Sequence, residues 1–114
     1  ANAGIGGANL TYANLTGATL TGAILLKTDL AGANLTEASL IGVNLTGVNL
    51  AGANLTGANL TGADLSGANF DGEIVEGANL TEADLTGANF KNARWDDSTI
   101  WPEGFTPPVK QTDA

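Results

Sequence analysis

The sequence predicts an all-β solenoid, a square coil of about 20 residues that winds about five times. Three observations carry that expectation. Every fifth residue from Ile5 to Ile100 is apolar, giving 20 centres of which 14 are Leu and the rest Ile5, Phe70, Val75, Phe90, Trp95 and Ile100. Two residues before the centre stands Ala in 15 of the 20 cases, the exceptions being Thr28, Val43, Val48, Glu73 and Ser98. Two residues after it stands Gly at most positions, so the unit is A-(N/D)-L-T-G, nearly pure in residues 53–57 and 58–62.

A five-residue period matches neither a helix nor a long strand. Ala and the centre flank one polar residue, so both face inward from a short extended segment while Asn or Asp points out. The next two residues must turn the chain. A type II turn needs positive φ at its third residue, which Gly adopts without a Cβ clash. Each unit is therefore one edge and one corner, and four corners close a coil. Stacked coils then align Leu10, Leu30, Leu50, Phe70 and Phe90 in one core column. Leu15, Leu35, Leu55, Val75 and Trp95 form another, and Phe70 is expected to stack on Phe90.

The repeat, running over residues 3–101, resembles that of pentapeptide-repeat proteins, in the Leu-centred flavour abundant in cyanobacteria. The resemblance implies a right-handed quadrilateral β-helix, and a non-catalytic structural or protein-interaction role. It also implies an alternative: some members mimic DNA and bind type II topoisomerases, so the chain could be a DNA-mimicking binder or inhibitor of DNA gyrase. It departs from those members in its Leu centres and in having only Asp29 and Glu37 as acids before Asp64.

Composition narrows the function classes. The chain has 114 residues, 43% of them hydrophobic but only six aromatic, so it fills a narrow core and reads as one repeat domain, residues 1–101, with a cap and tail at 102–114. Net charge is −8, from 12 acidic and 4 basic residues, which opposes direct nucleic-acid binding. No apolar run is long enough for membrane insertion. There is no His, Cys or Met. Without His or Cys no Ser or Thr has an evident base, so no enzyme activity and no cofactor is expected. The chain reads as soluble, and as cytoplasmic, or periplasmic or thylakoid-lumenal if a signal peptide was removed before Ala1.

Departures from the motif supply the candidate functional residues. Ile24, Leu26, Ile41 and Ile74 fall in solvent-facing slots and form the expected surface for an unidentified protein partner. Glu73 falls in an inward Ala slot, where a charge needs partners, so local bulging is expected to expel it. Asp71 is placed to pair with Lys91. Asp64 over Asp84, and Glu76 beside Asp96, stack like charges, too few to bind calcium. Thr columns lack the second Thr row of an ice-binding face. After Ile100, Trp101-Pro102-Glu103-Gly104-Phe105 ends the ladder, because Pro cannot donate to it. Trp95, Trp101 and Phe105 are expected to cap that end, with disorder over 109–114. The N-terminal coil around Ile5 and Leu10 has no such cover, so it is expected to self-associate or to mark a truncation.

Overall fold

A computed structural model of the chain describes residues 9–107. In the repeats centred on residues 10 to 90 the N–H three residues after the centre donates back to the centre's carbonyl, as from Ala13 to Leu10 at 3.1 Å and from Ala58 to Leu55 at 2.9 Å. The third residue of the turn has positive φ, +67° at Gly57. That is the corner expected of a type II turn. Asn and Thr complete it. Asn54 Oδ1 accepts from the Thr56 N–H at 3.0 Å and from its hydroxyl at 2.6 Å. An Asx side chain that satisfies the next corner explains why Asn or Asp stands before the centre and Thr after it.

Parallel bridges join outward residues 20 apart, so four repeats make one coil. The first face carries Asn9, Asp29, Asn49, Asn69 and Asn89; the second Asn14, Asn34, Asn54, Ile74 and Arg94. The third carries Thr19, Ser39, Asn59, Asn79 and Ile100, and the fourth Ile24, Asn44, Asp64 and Asp84. The β structure consists of isolated bridges rather than strands, because the extended run between two corners has room for one. Three backbone bonds tie each repeat to the next coil: Leu35 to Asn54 at 2.8 Å, Glu37 to Thr56 at 2.8 Å, and Asn54 back to Ala33 at 2.9 Å. Inside, Leu35, Leu55, Ala53 and Ala58 are completely buried.

Five corners replace Gly with Tyr12, Lys27, Glu37, Glu82 or Asn92, all at positive φ between 55° and 61°. Three of these side chains lie over a glycine of the next coil: Tyr12 on Gly32, Lys27 on Gly47 and Glu37 on Gly57.

Two expectations about the inward positions fail. Glu73 is not expelled; it keeps the ladder and its side chain is completely buried. Its N–H donates to Phe70 at 3.0 Å and its carbonyl accepts from Arg94 at 2.8 Å, so the backbone follows the ordinary corner and leaves no room for a bulge. The second failure is Ile100, which is not a core centre but 50% exposed. The last coil holds one extra residue, so Asn79 bridges to Ile100 across 21 positions instead of 20. Thr99 therefore fills the inward slot, where its hydroxyl donates to the Val75 carbonyl at 2.8 Å. The next core-facing position passes to Trp101.

Asp96 accommodates the insertion. Its carbonyl accepts from Thr99 N–H at 3.1 Å, closing a corner one residue late. Its Oδ1 accepts from the Gly77 N–H at 3.2 Å, where Gly57 meets a backbone carbonyl, that of Glu76, at 3.0 Å. The same oxygen accepts from the Ser98 N–H and hydroxyl.

Candidate functional site

Ile24, Leu26 and Ile41 gather on one side. Ile24 lies on the fourth face, Leu26 at its trailing corner, and Ile41 at its leading corner one coil on, over Thr21. Each remains about two-fifths exposed, at 39–40%. Ile74 does not join them. It lies on the second face, opposite, between Asn54 and Arg94, and is only partly exposed. A larger exposed group escaped the sequence reading: Tyr12, 82% exposed, whose ring covers Gly32. Its signal was an aromatic in a glycine slot.

At the other end the aromatics form a continuous stack. Phe70 and Phe90 are parallel, with ring centres 4.4 Å apart. Trp101 meets Phe90 edge-on at 5.5 Å and Trp95 edge-on at 5.8 Å, and stacks with Phe105 at 5.3 Å. Offset and edge-on contacts suit the ring quadrupoles. A shallow cleft of about 380 Å³ separates residues 102–105 from the fourth-face rung 83–86. Ile5 and residues 109–114 lie outside the described residues.

The surface charges pair differently from expectation. Asp71 Oδ1 accepts from the Asn92 side-chain amide at 3.2 Å, while Arg94 pairs with Glu76 at 3.4 Å. Glu76 thus turns to Arg94 and Asp96 to Gly77, so they do not form a simple like-charge stack. Asp64 and Asp84 do stack, each accepting from a hydroxyl, Ser66 at 2.6 Å and Thr86 at 2.7 Å. The Ser66 hydroxyl, then its N–H, hold the Asp64 carboxyl below its ordinary value. On the first face, Asn89 and Asn69 donate down a side-chain ladder at 3.3 and 3.5 Å.

The hydroxyls of Thr16, Thr36, Thr56 and Thr61 are spent on Asn Oδ1 atoms of their own repeats. Among the described residues no group of three or more His, Cys, Asp or Glu is placed to hold a metal ion, and no helix is long and apolar enough to cross a membrane.

Sequence profiles described as pentapeptide repeats match residues 5–36 and 33–72, and a second such profile matches 55–99. The chain belongs to the pentapeptide-repeat family. Its fold is shared with a pentapeptide repeat protein from the Arabidopsis thaliana thylakoid lumen, at 28% identity and a TM-score of 0.79 over 82% of this chain. The chain spans 65% of that protein. Rfr23, a pentapeptide repeat protein from the cyanobacterium Cyanothece 51142, is 31% identical over 87% of this chain and 88% of its own, with a TM-score of 0.45. HetL, involved in heterocyst differentiation regulation in the cyanobacterium Nostoc, is 32% identical over 92% of this chain and 62% of its own, with a TM-score of 0.40. No significant match is found among curated proteins.

Proposed function

We propose that the chain is a non-catalytic interaction solenoid of about five coils, closed at its C-terminal end by Trp95, Trp101 and Phe105. The apolar rim of its fourth face, Ile24, Leu26 and Ile41, docks a protein partner. The observation that carries this reading is that those three exposed side chains share one side, beside the Thr46 and Thr61 hydroxyls, which are already bonded to Asn44 and Asn59 of their own repeats. Apolar residues exposed together on a surface of satisfied polar groups favour a protein partner over a small polar substrate.

The DNA-mimic alternative is less well supported. A mimic needs regular acidic columns, whereas the outward residues of the third face carry no charge and those of the first carry only Asp29. Photo-crosslinking tests the proposal. A photoreactive residue at Ile24 or Ile41 should capture a specific protein from the native extract, one lost in an Ile24→Asp/Leu26→Asp variant and not captured from Asn54. Equal capture from both faces would refute the docking surface, and inhibition of DNA gyrase supercoiling by the purified chain would favour the mimic instead.

A further inference from the structure

In the inward column of the second face, Ala13, Ala33, Ala53 and Ala93 surround one acid, Glu73. Its side chain is completely buried, and neither carboxyl oxygen has a hydrogen-bond partner. The local pattern is inverted, with the acid inside and the partly exposed Ile74 outside. A shift of one residue would exchange their sides. The fold therefore holds this segment in the less favourable of two alternations.

Among the described residues no charged group offsets the burial of Glu73. Its column neighbours are Ala53 and Ala93. Among the charged residues of the surrounding rungs, Asp71 is bonded to Asn92, Arg94 to Glu76, and Asp96 to Gly77 and Ser98, while Lys91 is exposed. An isolated buried carboxylate is far costlier than the neutral acid. Burial alone pushes this carboxyl well above its ordinary value.

We propose that Glu73 is a proton-held latch: the native coil keeps it neutral, and loss of its proton releases residues 73–75 together with the last coil stacked on them. What rests on that rung is specific. Val75 donates to the Arg94 carbonyl at 2.8 Å, Arg94 donates to Glu73, and the Thr99 hydroxyl donates to Val75. Phe90 lies on Phe70 and carries Trp101 and Phe105 above it. Solenoids open locally, rung by rung, so the release stays at this end. Because the folded value is raised, the stabilisation is complete below the ordinary value of 4.5 and is lost as pH rises through the raised one. This inference stands apart from the docking reading.

Both tryptophans, Trp95 and Trp101, lie in the coil that would open, so acrylamide quenching reports it directly. Quenching should be at least about twofold steeper near pH 8 than near pH 5. The midpoint of thermal unfolding should fall over the same interval. Glu73→Gln, neutral at every pH, should abolish both changes. If that variant does not fold, Glu73→Ala, which restores the residue of Ala53 and Ala93, serves the same purpose. A wild-type chain indifferent to pH, or a pH effect that survives in the folded variant, would overturn the latch. So would a falling melting midpoint with unchanged quenching, which places the response outside the last coil.

Discussion

The Glu37 Cγ lies 3.2 Å from where a β-carbon on Gly57 would sit. Glu37 occupies the glycine slot of its own corner at φ +59°, and its aliphatic stem covers the glycine slot of the next coil. A corner can therefore dispense with glycine when the corner above it does not.

Substitutions at corners should separate strain from crowding. Gly62 and Gly57 have nearly equal φ, +69° and +67°, but a β-carbon at Gly62 meets nothing within 4 Å. Gly62→Ala should cost about 1 kcal/mol, from the left-handed backbone alone. Gly57→Ala should cost more, and Glu37→Gly should remove the excess. Urea unfolding of the four chains measures this. Equal losses at the two glycines would mean that the Glu37 stem yields freely.

Acid stability should depend on Asp64. Its carboxyl is held below the ordinary 3.8 first by the Ser66 hydroxyl, so it contributes stability above 3.8 that is lost as pH falls through the lower folded value. Ser66→Ala should move the Asp64 titration upward toward the ordinary value, as followed by carbon-13 NMR of the carboxyl. It should also reduce the acid sensitivity of folding. An unmoved titration would assign the effect to the backbone N–H.

The five-residue period made most of this fold legible. The Leu and Ala columns, the Phe70–Phe90 stack and the positive-φ corners follow from spacing alone. What escaped is what spacing cannot encode. Glu73 breaks the pattern in composition but not in register, and a fixed ladder on both sides kept its backbone in place. Ile100 keeps the apolar pattern in composition while the register slips beneath it. The candidate surface was partly legible: exposure of Ile24, Leu26 and Ile41 follows from their slots. Ile74 is screened by its neighbours on the second face, and burial by neighbouring rungs has no sequence signature.

The slip itself should hinge on Asp96. Its Oδ1 replaces a backbone carbonyl for Gly77 and gathers Ser98, and those bonds hold its own carboxyl below the ordinary value, the Ser98 hydroxyl foremost. Asp96→Ala should lower the melting midpoint, and Asp96→Asn, which keeps the acceptor oxygen, should lower it less. Equal effects would show that charge, rather than the acceptor, closes the late corner.

Ile100 and Trp101 offer the sharpest comparison, because the fivefold pattern and the observed register disagree on which one is core. Continued spacing makes Ile100 the centre. The bridge to Asn79 instead puts Ile100 outward at 50% exposure and gives Trp101 three aromatic contacts, with Phe90, Trp95 and Phe105. Ile100→Asn would match the outward Asn59 and Asn79 of its column and should change stability by under about 0.5 kcal/mol. Trp101→Ala would remove the ring that joins the stack and should cost about 3 kcal/mol. Urea unfolding followed by far-UV circular dichroism avoids reliance on the deleted fluorophore. If Ile100→Asn proves the more damaging of the two, the extra residue lies elsewhere and the last coil keeps the regular period.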